Sequence, residues 1–91
     1  MELSDELIAE ISYVQASQYR TKVMKALGGE VKMPSRIGKD TGIKTSHVSS
    51  LLYGLKKLGL VECINPEVRK GRLYRLTDKG RKVVENMDNF D

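Results

Sequence analysis

Ser46, Ser49, Ser50, Tyr53 and Lys57 recur at spacings that gather them on one side of an α-helix. That side offers hydroxyls, a phenol and an ammonium, and no carboxylate. Short hydroxyl side chains let a helix approach another polar surface closely, where they can bond base edges and phosphate oxygens. A side that only met water, in a chain with 31% charged residues, is expected to carry Glu as well as Lys. Serine is a middling helix former, so it adds little to a purely structural helix. The pattern therefore suits insertion into the major groove of duplex DNA. The plain alternative is an amphipathic helix with a serine-rich outside.

Such a helix needs a backing and a mount. Val48, Leu51, Leu52, Leu55 and Leu58 supply an apolar stripe on the opposite side. Upstream, Pro34 suits a first helical turn, Ser35 to Thr41 continue it, and Gly42 supplies the left-handed residue that ends it. Thr45 or Ser46 is the expected N-cap of the second helix. The stretch from Pro34 to Leu58 thus reads as a helix-turn-helix. Ile37 points to the core, and Gly38 permits a close crossing. A first helix of this kind lies across the nucleic-acid backbone, so Arg36 and Lys44 are candidate phosphate contacts; Lys39 equally suits pairing with an acid. Thr45 and His47 stand at the N-terminal end of the second helix, where side chains reach deepest; for His47 the alternative is a surface position on the flank. Gly54 costs about 1 kcal/mol inside a helix relative to Ala and marks a close approach by another element.

Gly59 ends that helix. Leu60 to Ile64 reads as a strand, Asn65-Pro66 opens a turn region, and Arg72 to Leu76 returns as a second strand. Arg69, Lys70 and Arg72 cluster at the expected tip beside Gly71. A basic hairpin tip next to a helix-turn-helix can reach a minor groove or flanking phosphates, against the plainer reading of a solubilising loop. Pattern alone leaves Tyr74 open between core and surface. Charge follows the same division. Residues 1–29 carry 3 basic and 4 acidic side chains, residues 30–76 carry 10 and 4, and residues 77–91 carry 3 and 4. The net charge of +4 is therefore concentrated in the central segment, as a polyanion partner requires.

The flanks read as helices. Ser4 caps a first helix to Gln15, with Leu7, Ile8, Ile11 and Val14 at helical spacing and Leu3 ahead of the cap. Ser17 opens a second, with Tyr19, Val23, Met24 and Leu27 as its apolar face and Gly28-Gly29 as its stop. Val31-Lys32-Met33 is a candidate short strand. Arg20, Lys22 and Lys25 lie mostly off the apolar face. Thr77 caps a last helix with Val83, Val84 and Met87; Phe90 either extends that stripe or belongs to a frayed end from Asn86 to Asp91.

With 91 residues the chain is expected to be one domain, 1–91: N-terminal helix 1–15, helix-turn-helix 34–58, wing hairpin 60–76, C-terminal helix 77–88. Cys63, the single cysteine, reads as a small buried hydrophobe, and the absence of a disulfide pair fits a cytoplasmic protein. The acidic start MELSDELIAE is unlike a signal peptide, and no apolar run approaches the ~20 residues of a membrane span. No nucleophile–base motif, metal-ligand spacing or phosphate-binding glycine loop is present, so neither catalysis nor a metal or cofactor is expected.

The segment LLYGLKKLGLVECINPEVRKGRLYRLTDKG, Leu51 to Gly80, resembles the winged helix-turn-helix transcriptional regulators of the MarR/ArsR-like type, especially compact archaeal members. The resemblance rests on Leu-x-x-Leu-Gly-Leu-Val at Leu55–Val61 and Gly-Arg-x-Tyr-x-Leu-Thr-x-x-Gly at Gly71–Gly80. With Thr41-Gly42-Ile43 it covers about residues 17–84. It implies a mainly α fold with a small β-hairpin wing, ordered α-α-β-α-α-β-β-α. It also implies a recognition helix at Thr45–Leu58, a wing at Asn65–Arg72, and binding of pseudo-palindromic double-stranded DNA by a homodimer. This chain is shorter than a MarR protein, which leaves Leu7, Ile8, Ile11 and the C-terminal helix to form the dimer. The metal-ligand cluster of metal-sensing ArsR proteins is absent. Winged domains also serve as protein- or RNA-interaction modules, and that is the alternative function.

Overall fold

The computed structural model describes residues 4–87, so Leu3 and Phe90 lie outside the described residues. The order is α1 (Asp5–Gln15), α2 (Gln18–Leu27), α3 (Pro34–Thr41), α4 (Thr45–Lys57), β1 (Val61–Cys63), β2 (Tyr74–Leu76) and α5 (Asp78–Met87). This is a winged helix-turn-helix: five helices and an antiparallel hairpin, with Val61 opposite Leu76 and Cys63 opposite Tyr74. Lys32 adds an isolated antiparallel bridge to Tyr74, which is all that forms of the short strand expected at Val31-Lys32-Met33.

Local chemistry sets most boundaries. Ser4 Oγ accepts from the Leu7 N–H, and Ser17 Oγ from the Arg20 N–H. Pro34 opens α3, and Gly42 closes it in the left-handed region at φ 78°. Thr77 Oγ1 accepts from the Gly80 N–H and donates to the Gly59 carbonyl at 2.6 Å, so one hydroxyl caps α5 and ties it to the end of α4. The N-cap of α4 departs from expectation. It is Lys44, at φ −58° and ψ 137°, and neither Thr45 nor Ser46 caps; α4 begins one residue early and carries Thr45 as its first helical residue.

The core lies where the five helices converge with the hairpin. Val14, Val23, Met24, Leu27, Ile37, Val48, Leu52, Leu55, Leu60 and Val83 are sealed in it. Complete burial of each aliphatic side chain contributes about 1.5–3 kcal/mol. The expected stripe of α4 is narrower than drawn: Leu51 is half-buried, and Leu58, at the C-terminal cap of the helix, is exposed. Tyr19 is likewise exposed, lying at the edge of the α2 face against α4. Cys63 is half-buried, its thiol 3.6 Å from Asn65 Oδ1, because its strand is the hairpin's outer one. Ile11 is buried at 3% exposure, since α1 turns that side onto α5 and the core; it is not a free surface for a partner. Ile8, one turn back, is exposed, and Leu7 is half-buried.

Two ionic knots fasten helices together. Lys79 of α5 pairs with buried Glu10 and, at 3.0 Å, with Glu6 on α1, and donates to the Leu58 carbonyl. The hydrogen bond to Glu10, then that to Glu6, holds the ammonium above its ordinary range. Lys32 donates to the Ala26 carbonyl at 2.6 Å and to Asp40 Oδ2 at 2.8 Å, joining α2 to α3. That Lys32 hydrogen bond, which outweighs desolvation and is helped by Arg36, holds the Asp40 carboxyl below the usual carboxylate range.

Candidate nucleic-acid interface

The outward side of α4 is bare. Thr45, Ser46, His47, Ser49, Ser50, Tyr53 and Lys57 are all exposed, Tyr53 to 66%. The Lys57 ammonium sits 5.3 Å from the Tyr53 ring centroid, within cation–π range. Ser50 Oγ donates back to the Ser46 carbonyl at 3.3 Å, which leaves its lone pairs facing outward. Nothing acidic lies among these residues.

The wing returns beside this face. β1 and β2 are shorter than the expected strands because the side chain of Asn65 takes over the ladder. Its Oδ1 accepts from the Leu73 N–H at 2.8 Å, and its Nδ2 donates to the Gly71 carbonyl at 3.1 Å. Arg72 folds back within the loop, Nε donating to the Val68 carbonyl at 2.7 Å and a terminal nitrogen to Pro66 at 3.4 Å. Gly71 takes φ 75°, the left-handed conformation that a tight bend needs. Arg69 and Lys70 are exposed at the tip.

Helix face and wing enclose an open groove of about 640 Å³. Thr45, Ser49, Tyr53 and Lys56 form one wall, Arg69, Lys70, Gly71 and Arg72 the other, and Met33, Pro34, Ser35 and Tyr74 the remainder. No acid lines it. The groove thus brings together six residues picked out in the sequence: Thr45, Ser49, Tyr53, Arg69, Lys70 and Arg72. Ser46, Ser50 and Lys57 stand on the exposed shoulder of α4 outside it. His47 lies on the other flank, its ring 5.0 Å from that of Tyr19. Lys44 is exposed at the turn. Arg36 is apart from the groove, engaged with Asp40 one turn along α3 at 3.1 Å.

Lys56, Ser35 and Met33 were missed. Thr45, Ser49 and Lys56 recur at i, i+4 and i+11, a line along the wing side of α4 that a helical wheel contains. The wheel cannot say which flank the wing will face, because that depends on a non-local contact. Among the described residues no group of three or more His, Cys, Asp or Glu could hold a metal ion, and no helix is long and apolar enough to cross a membrane.

The sequence matches no protein-family model and no curated protein. Solved structures do match. One is the homodimeric winged helix-turn-helix DNA-binding domain of a possible ArsR-family transcriptional regulator from Mycobacterium bovis, at 24% identity and TM-score 0.66, over 97% of this chain and 83% of that one. Another is a MarR family transcriptional regulator from Silicibacter pomeroyi, at 20% identity and TM-score 0.63, over 94% of this chain. This chain spans 64% of the Silicibacter protein's length. At these identities the likeness establishes the shared winged helix-turn-helix fold.

Proposed function

We propose that this winged helix-turn-helix chain is a sequence-specific double-stranded DNA-binding transcriptional regulator. α4 enters the major groove, where Thr45, Ser46, His47, Ser49, Ser50, Tyr53 and Lys57 read base edges or fix the helix on phosphates. Arg69 and Lys70 grip the adjacent minor groove or backbone, with Arg72 shaping the loop that presents them. Arg36 and Lys44 reach backbone phosphates from α3 and the turn. The observation that carries the reading is the acid-free groove between an uncovered hydroxyl-bearing helix and a cationic wing. The two structural neighbours are described as a DNA-binding domain and as transcriptional regulators, which supports it.

The Mycobacterium neighbour is homodimeric, and a two-fold symmetric dimer presents two recognition helices to a pseudo-palindromic site. For this chain the dimer uses Ile8 on the outward side of α1 together with the exposed side of α5. No catalytic role and no cofactor is proposed, and the working compartment is the cytoplasm. Selection of bound sequences from a random duplex pool tests the function. Recovery of a two-fold related motif supports it; recovery of no preferred sequence, with binding to RNA or a protein instead, favours the interaction-module alternative.

A further inference from the structure

The two flanks of α4 are built differently. Thr45, Ser49 and Lys56 face the wing. His47 and Gly54, at i and i+7, lie on the opposite flank, where α2 and α1 approach. There the Tyr13 hydroxyl stands 3.2 Å from where a Gly54 Cβ would be, and the Tyr19 ring tilts at 56° against His47. Both partners in the second contact are exposed, Tyr19 to 42%. The contact therefore buries little and adds little to the core. Its centroid distance of 5.0 Å falls in the range where tilted aromatic pairs attract. It joins the first turn of α2 to the first turn of α4, the end of the helix expected to go deepest into the groove.

An exposed imidazole on a first helical turn would otherwise sample several rotamers, and ordering it on binding costs affinity. A ring held against it from another element removes that cost beforehand. We propose that Tyr19 is a positioning residue for His47, holding the imidazole in one orientation so that α4 meets DNA with this contact already set. The proposal rests on the DNA-binding reading above. It assigns a role to a residue of α2 that lies outside the helix-turn-helix and the wing.

The test compares full-length wild type with Tyr19→Phe, Tyr19→Leu, Tyr19→Ala, His47→Ala and the Tyr19→Ala/His47→Ala double variant. In the free protein, the ring-current displacement of the His47 side-chain protons should persist in Tyr19→Phe and vanish in Tyr19→Ala and Tyr19→Leu. Leu keeps apolar bulk, which guards against a folding defect. On a duplex selected by wild type, Tyr19→Ala should bind roughly three- to tenfold more weakly. It should relax base preference at the same positions as His47→Ala, Tyr19→Phe should restore both, and the double variant should be no weaker than His47→Ala. Wild-type behaviour of Tyr19→Ala, loss additive with His47→Ala, or relaxation at different positions would overturn the proposal while leaving DNA binding intact. If wild type selects no duplex, the DNA-binding reading falls and this role falls with it.

Discussion

Arg69, Lys70 and Arg72 are three cations within four residues, yet they are not equivalent. Arg72 spends its donors on the Val68 and Pro66 carbonyls. Arg69 and Lys70 end at the groove rim, and Lys56 faces them from α4. Each phosphate contact releases counterions, so its loss shows in the salt dependence as well as in affinity. Replacing Arg69 and Lys70 together by Ala should weaken binding uniformly across sequences and shallow the slope of log K against log salt by about two. Lys56→Ala should remove about one, and Arg72→Ala should loosen the wing loop instead, seen as faster amide exchange at Leu73. Asp40 carries a pH prediction. Its carboxyl titrates lower folded than unfolded, so its contribution to stability is full above its ordinary value of 3.8 and is lost as pH falls through the depressed folded value. Thermal melts of Asp40→Asn should show a weaker acid-side decline than wild type. Lys79 behaves in the opposite sense: its contribution is full below 10.5 and is lost as pH rises through the raised folded value. At this scale the sequence revealed the cationic residues but not their partners. That Asp40 binds Lys32 and Arg36 rather than Lys39 depends on how α3 lies against the segment after α2.

Elements meet through backbone in two places, and glycine is required at both. A Cβ on Gly80 would stand 2.0 Å from the Leu60 carbonyl oxygen, where α5 crosses the start of the hairpin. A Cβ on Gly38 would stand 2.8 Å from the Ile43 carbonyl oxygen, so the close approach foreseen for Gly38 is to the turn entering α4. Backbone cannot step aside as a side chain can. Gly80→Ala should therefore cost about 3 kcal/mol, toward the upper end for overpacking, and lower the thermal midpoint accordingly. A melt within a degree or two of wild type would show that α5 can shift without penalty. Helices were legible because their stops and starts are local: Ser4, Ser17, Pro34, Gly42 and Thr77 act within their own turns. The cap of α4, the exposure of Leu58 and the flank position of Tyr19 were not, since each follows from what lies alongside. The wing's location was legible from charge and turn residues. Its short strands were not, because they follow from Asn65 bonding the backbone across the loop.

At the scale of the whole molecule, the core is sealed between the helices, and the outward side of α4 with the wing tip is left open. α1 is tied to α5 through Glu10 and Lys79, and Ile8, its exposed large apolar residue among those described, is the one proposed above to meet a second copy. Ile8→Glu should convert a dimer to a monomer in light scattering and weaken binding to a two-fold site more than to a half-site. The fold class is legible in the chain's own residues and their spacing, as are most residues of the candidate site. The groove itself is not, because it exists only when the residue 69–72 segment is brought over Thr45, Ser49 and Lys56. The most direct test is amide chemical-shift mapping of the labelled protein titrated with its selected duplex. Perturbations should gather on residues 44–57 and 69–72 and leave the buried side of α1 and α5 unmoved. Perturbations centred on Ile8 and α1, with α4 and the wing silent, would refute the groove as the seat of DNA binding.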